Sequence, residues 1–411
     1  MKKVHYSWVI CAVCTLLIVC NMGLCNTGFS VWLQFAEAKE GFTGAQGSSI
    51  LSVRCIFSLL CMLVVSKYFD RLGVRLGAAI GTALSALAYL IYSIGGSITV
   101  YYIGSAVAGI GYGFGTTIAI SIMINNWFDR CRGLAMGIST SGTGVCAMAF
   151  PLIMTSLIDK FGLSVSFRFI FAFVLVSSLL VLLLARDRPE QMNMQPFGYG
   201  EGGTEKKKKT QKTHGHRELS WKEWIFAAIA LLMVGAVSTA GTGHFSIVMT
   251  SSGYSTELAA GVMSFWGIVL IAAKFIYGSA VDRFGCKKAT VVFYSVYVLG
   301  CAATLFFFTG IPALAYLFAL LIGLGIPPAT VGFPIWAADL SRPENYAKTV
   351  KWFQVFFLLG GVIFTSVPGM LYDRLGNYQS AYILFAAFTV IDTTIVAVLY
   401  TRFSKERKRE E

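Results

Sequence analysis

Four side chains that can carry charge stand inside stretches apolar enough to cross a lipid bilayer: Arg54, His244, Lys274 and Asp392. A charge at the bilayer centre costs about 2.5–3.5 kcal/mol on insertion scales, so such a group is compensated or has a task. Lys274 lies eight residues before Asp282, ~12 Å along a helix, which puts its ammonium near the midplane. It is a binding point for an anion, or it is held by a helix end and backbone carbonyls. Arg54 lies sixteen residues before Asp70, ~24 Å by the same rise. It attracts anions into an outer cavity or snorkels to the outer headgroups. His244, with an ordinary pKa of about 6.5, suits proton coupling or packs as a plain hydrogen-bonding residue. Burial of Asp392 favours its neutral form, hydrogen-bonded to a threonine on its own helix or serving as a proton relay. Asn21 and Asn26 hydrogen-bond cargo or bridge helices.

The elements that must position these groups are membrane spans. The 411 residues are 56% hydrophobic and 13% charged, with mean hydropathy +0.69. A soluble protein of this size has too little interior to hide that surface. Twelve apolar stretches are each long enough to cross ~30 Å of hydrocarbon. They fall near 7–33, 46–67, 76–95, 99–122, 132–156, 165–185, 221–249, 257–280, 288–309, 312–336, 347–370 and 379–402. Unpaired backbone is not tolerated in lipid, so the spans are helices. The expected fold class is an all-α membrane protein.

Net charge is +13, and its distribution argues for topology rather than nucleic-acid binding. Of the 33 Lys and Arg, 27 fall in the termini and the loops on their side, four fall opposite (Lys39, Lys160, Arg168, Arg374), and Arg54 and Lys274 lie within spans. The positive-inside rule then predicts a multi-pass protein of the cell (plasma or inner) membrane with both termini cytoplasmic. Lys2 and Lys3 precede a long apolar run without a small-residue cleavage site, which reads as an uncleaved first span. The ten cysteines keep no metal-ligand company with His and read as small apolar residues.

The chain repeats itself. Ser66-Lys67-Tyr68-Phe69-Asp70-Arg71-Leu72-Gly73-Val74-Arg75 returns as Gly278-Ser279-Ala280-Val281-Asp282-Arg283-Phe284-Gly285-Cys286-Lys287. Leu157-Ile158-Asp159-Lys160-Phe161-Gly162 returns as Leu371-Tyr372-Asp373-Arg374-Leu375-Gly376 at nearly the same offset. Two pairs at one spacing indicate duplication. The predicted domains are a six-helix half over 1–185, a Pro-, Gly- and Lys-rich cytoplasmic linker over 186–220, and a second six-helix half over 221–411. Parallel repeats of this kind build rocking transporters with cargo held between the halves. Gly109, Gly111, Gly113 and Gly115 sit inside a span without strand–loop–helix context, so they are packing positions, not a nucleotide loop. No catalytic triad or metal cluster is legible, so no enzyme activity and no cofactor are expected.

The paired Asp-Arg-x-Gly-x-Arg/Lys turns resemble those of the major facilitator superfamily (MFS). Trp127-Phe128-Asp129-Arg130-Cys131-Arg132-Gly133-Leu134-Ala135-x-Gly137 is similar to a signature of its oxalate/formate-antiporter and monocarboxylate-porter branch, as is the opening from Trp8-Val9 to Gly28-Phe29-Ser30-Val31-Trp32. The resemblance covers nearly the whole chain outside the linker. It implies an MFS fold of twelve helices in two six-helix pseudo-repeats, a proton or counter-anion as the driving partner, and a helix-eight cation on the substrate carboxylate. That position is Lys274, where the branch usually carries Arg; a lysine keeps the charge without the planar fork. The chain departs from the branch elsewhere too: Leu270 stands where proton-coupled porters often carry Asp, and no lysine lies in the middle of the eleventh span, where an oxalate exchanger places one, with Phe353 and Gln354 nearby instead.

The resemblance also implies a cytoplasmic gate made by Asp70, Arg71, Arg75, Asp282, Arg283 and Lys287, each aspartate meeting a helix N-terminus when the inside is shut. The expected function is secondary transport of a small organic anion, a monocarboxylate above all, by a monomer, through proton symport or anion exchange. Substrate-binding candidates are Lys274, Arg54, Asn26 and His244; proton-coupling candidates are His244 and Asp392. Other readings are an exporter of another small molecule and an oxalate/formate-type or nitrate-type anion exchanger.

Overall fold

A computed structural model describes residues 5–27, 32–33, 35–36, 39–42, 44–199 and 218–410. Eleven apolar helices in it are long enough to cross a membrane. One of them, Ser49–Tyr92, has 44 residues, about 66 Å of helix, enough for two crossings of ~30 Å. It folds at Gly73, whose φ of 75° and ψ of 162° interrupt the helix. Only glycine enters that region without strain. Counted as two limbs, it brings the spans to twelve.

The helices are α1 (Tyr6–Leu17), α2 (Gly44–Tyr92), α3 (Ile98–Gly115), α4 (Thr117–Trp127), α5 (Arg132–Phe161) and α6 (Leu163–Leu184). The chain continues with α7 (Trp221–Gly243), α8 (Phe245–Thr250), α9 (Thr256–Phe284), α10 (Cys286–Ala303) and α11 (Pro312–Gly325). Last come α12 (Phe333–Asp339), α13 (Tyr346–Phe364), α14 (Val367–Leu375) and α15 (Gln379–Glu410). Several of the sequence's apolar stretches are therefore broken helices. Pro327 and Pro328 open a π-helical turn, Pro328–Gly332, between α11 and α12, because proline cannot complete the helical ladder. α1 runs into a π-helical stretch, Ile18–Thr27.

The helix faces are polarised the reverse way from a soluble protein. On α6 the buried residues include Ser166, Ser177 and Ser178, while Phe169, Phe173, Val176, Leu180 and Leu183 are exposed. Polar groups turn inward and aromatic and aliphatic groups outward, as a hydrocarbon solvent requires.

The chain forms two compact units, Met1–Asp129 with Ile138–Tyr199, and Arg130–Gly137 with Gly200–Glu411. In the first, α3 lies between the two limbs of α2. Gly109 abuts the Arg54 carbonyl and Gly113 the Cys61 side chain, while Gly111 abuts Ser85 and Gly115 abuts Asn21. Alternate glycines thus serve opposite neighbours. Residues 186–199 fold back onto this unit: Phe197 N–H donates to the Trp127 carbonyl at 2.9 Å and Asp129 N–H to the Phe197 carbonyl at 3.1 Å. In the second unit, α7 packs on α13 and α15, and α10 on α11 and α15. Backbone meets backbone where Gly235 abuts the Phe357 carbonyl and Gly360 the Leu232 carbonyl.

Candidate functional site

The helix that carries Lys274 begins at a Ser255 cap, whose side chain accepts the Leu258 N–H at 3.2 Å. It runs without interruption to Gly285, where φ reaches 85°. Lys274 is only 2% exposed. Leu270, Ala273 and Tyr277 on the same helix are buried as well, so Lys274 stands inside the fold rather than at a rim.

Lys274, Gly278 and Asp282 recur every fourth residue and therefore share one face of α9. The opening turns of α5, which belong to the same unit, lie against that face. Gly137 abuts the Lys274 carbonyl, and Gly133 and Gly278 abut each other's backbones. Asp282 completes the contact. One carboxylate oxygen accepts the Gly133 N–H and the other the Leu134 N–H, each at 2.8 Å. A carboxylate on two of the first N–H groups of a helix also meets the positive end of its dipole. The buried cation and the helix-capping acid are thus two turns apart on one rigid element.

The other residues of the two Asp-Arg turns are placed differently. Asp70 and Arg71 are exposed. Arg75 is tied down inside the first unit, its N–H to Asp187 at 2.6 Å and its Nε to the Leu182 carbonyl at 2.7 Å. The short turn Pro343–Asn345 that precedes α13, the element pseudo-equivalent to α5, is held by Glu218, which accepts from Arg342 N–H at 3.3 Å and Asn345 Nδ2 at 3.0 Å. Arg283 lies over the Phe284 ring at 5.5 Å. Lys287 donates to the Thr401 hydroxyl at 2.7 Å, so it joins α10 to α15 rather than the α9–α5 contact.

Arg54 does not snorkel. It is 6% exposed, it donates to the Cys25 carbonyl, and its guanidinium stands 5.6 Å from the centre of the Tyr112 ring. Asn21 bridges helices: its amide donates to the Leu17 carbonyl, the Thr82 hydroxyl and the Gly115 carbonyl at 3.0, 2.9 and 3.1 Å, and its oxygen accepts from Ser85 at 2.7 Å. The side chain of Asn26 lies outside the described residues. His244 falls at the break between α7 and α8, with Nδ1 2.9 Å from the Ala240 carbonyl. A carbonyl only accepts, so Nδ1 carries the hydrogen.

Asp392 departs from the sequence expectation. Thr389, Thr393 and Thr394 donate their hydroxyls to the backbone carbonyls of Phe385, Thr389 and Val390. The threonines close onto their own helix because a carbonyl four residues back is always in reach. Asp392 is 1% exposed, and neither carboxyl oxygen has a hydrogen-bond partner among the described residues. Sequence reasoning also passed over Asp187, Glu218 and Asp339. Each stands at a span edge, where an acid reads as an ordinary solvated charge, and only the packing reveals what it holds.

A duplicated set of twelve lipid-facing helices, with a buried cation and a helix-capping carboxylate on one element, defines a polytopic membrane transporter rather than an enzyme. The family model for the Major Facilitator Superfamily matches residues 12–330 and 253–411, and the chain belongs to that superfamily. Among curated proteins it is similar to Monocarboxylate transporter 12 of Xenopus laevis, 23% identical over 99% of this chain and 91% of the relative. It is also similar to Monocarboxylate transporter 10 of Homo sapiens, 23% identical over 87% and 70%. Among solved structures it shares its fold with FucP in the outward conformation, at TM-score 0.69, 16% identity and coverage of 96% and 99%. The proton:xylose symporter XylE gives TM-score 0.72, 15% identity and coverage of 95% and 94%.

Proposed function

We propose that this protein carries small organic anions, monocarboxylates foremost, across a cell membrane by alternating access, with both termini cytoplasmic. The observation that carries the reading is the burial of Lys274 in the middle of α9, at the position where the resembling carboxylate porters place their substrate cation. A buried ammonium attracts an anionic partner strongly, because water does not screen the attraction there. Lys274 supplies one point charge. Phe353 and Gln354, near the place where an exchanger of rigid dicarboxylates would carry a second cation, are both buried and uncharged. One cation suits one carboxylate.

Arg54 serves as the brace of the bent first span, its guanidinium engaged by Cys25 and Tyr112. The Asp282 contact with α5 is one pole of the gate. Cargo at Lys274 and closure at Asp282 act on the same helix, which gives the two events a physical link.

The deciding experiment is uptake into proteoliposomes across a panel of labelled mono- and dicarboxylates, with and without an imposed pH gradient. Uptake of one or more monocarboxylates is expected, with loss in correctly inserted Lys274→Gln. Full uptake by that variant overturns the assignment of the site.

A further inference from the structure

Asp392 has no use in the scheme above, and its surroundings make it costly. The elements packed on α15 are chiefly α7, α10 and α14. From Trp224 to Gly243 and from Ala289 to Ala303, α7 and α10 contain no acidic, basic or histidine residue, and neither does the 304–309 turn; on α15 Asp392 stands alone between Ser380 and Thr401. The only charges of α14 are Asp373 and Arg374, near its end. The phenols and thiols of these elements are Tyr294, Tyr297, Cys286 and Cys301 of α10, Tyr382 and Tyr400 of α15, and Tyr372 of α14. An ionised carboxylate without a counter-charge is not stable in such a place; the group takes up a proton instead.

Its immediate neighbour is Tyr294, whose hydroxyl faces the carboxyl and, like it, has no hydrogen-bond partner among the described residues. α10 and α15 run antiparallel. Cys286, Thr290 and Tyr294 therefore climb one face of α10 opposite Tyr400, Val396 and Asp392 of α15. Below Tyr294, Thr290 and the Tyr277 hydroxyl from α9 lie 3.0 Å apart. Below those, Cys286 lies 3.9 Å from Thr290 and faces Tyr400. Tyr400 donates to Asp339 at 2.7 Å, and Asp339 is only half-buried. The buried acid and Asp339 thus lie along one seam, with the hydroxyls of Tyr294, Thr290, Tyr277 and Tyr400 and the Cys286 thiol spaced between them.

We propose that Asp392 and Tyr294 form a proton-carrying site, filled and emptied along the α10–α15 seam from Asp339. The proposal rests on the carrier reading above and deepens it by naming the coupling ion. The proton that leaves Asp392 is accepted at the Tyr294 oxygen as Tyr294 rotates to give its own to Thr290; each group below, the Cys286 thiol included, accepts one proton and gives up its own, and the Asp339 carboxylate takes the last.

The test is infrared titration of the purified full-length protein, following the carbonyl band of a neutral carboxylic acid identified by its loss in Asp392→Asn. The band is expected at acid pH and is expected to vanish as pH rises. In Tyr294→Phe the pH at which it vanishes should move, because the hydroxyl that faces the carboxyl is gone. If Asp392→Asn fails to insert, Asp392→Glu assigns the band by moving it. In proteoliposomes Asp392→Asn should keep cargo exchange yet lose accumulation driven by a pH gradient. A band that persists to the alkaline limit of folding, a band absent at every pH, or unaltered gradient-driven accumulation overturns the proposal. The titration needs no cargo, so failure of the carboxylate reading shows separately, as an absence of carboxylate uptake.

Discussion

At the scale of the residue, the functional reading depends on how a single charge behaves away from water. Lys274 and Arg54 are both buried cations on apolar helices. Arg54 has a carbonyl and an aromatic face arranged around its fork, and this pre-organised geometry suits a brace. Lys274 sits among Leu270, Ala273 and Tyr277, with Gly137 against its backbone. Lys274→Arg is expected to retain part of carboxylate uptake at a changed KM, because the charge survives while its position shifts outward by the longer head. Lys274→Gln should lose uptake at every concentration. Uptake measured against substrate concentration in both variants separates the two outcomes; equal loss in both would mean that geometry, not charge, is what the site needs.

At the scale of the element, the contact between the start of α5 and the face of α9 is the part most open to test. Asp282 on the α5 N-terminus contributes about 0.3–1 kcal/mol, up to about 2 when partly buried, enough to bias two states separated by a few kcal/mol. Asp282→Asn is therefore expected to loosen α5. The half-buried Cys131, one residue before α5, should then react faster with a maleimide, and mass spectrometry of the Cys131 peptide measures the rate. Gly137→Leu should abolish transport in inserted protein, because its side chain meets the Lys274 carbonyl. Gly267→Leu on α9, a position with open space around it, should be tolerated. The Gly73 fold of α2 depends on a different device: Asp187 accepts the Arg75 N–H and so caps the second limb. Asp187→Ala should cost about 1 kcal/mol, the usual worth of an N-cap. That lowers the melting temperature by about 2–4 °C for a unit of this size, readable by thermal unfolding in detergent.

At the scale of the whole molecule, the prediction concerns sidedness. The excess of Lys and Arg in the termini and the loops on their side predicts that residue 202 faces the cytoplasm. A membrane-impermeant thiol reagent should label Gly202→Cys in inside-out vesicles and spare it in right-side-out ones. The reverse pattern would invert the topology and with it the sense of the Asp282 gate. The two units also show why duplicated sequence does not enforce duplicated contacts. Asp282 meets a helix N-terminus while Asp70 is exposed, and the turn before α13 is held by Glu218, an acid with no counterpart in the repeated motif.

The sequence by itself determined the solvent, the helical class, the number of spans, the duplication and the short list of ionisable groups within them. Those properties follow from local composition and from lipid's intolerance of unpaired backbone, and neither needs a neighbour to be known. Which of those groups are neutralised, bridged or left facing one another was decided only by tertiary structure. Arg54 found Cys25, Asn21 found Thr82, Ser85 and Gly115, and Asp392 was passed over by its own threonines and set opposite Tyr294. The worth of a charge in a membrane depends on atoms a few ångströms away on other helices, and their spacing along the chain does not encode that distance.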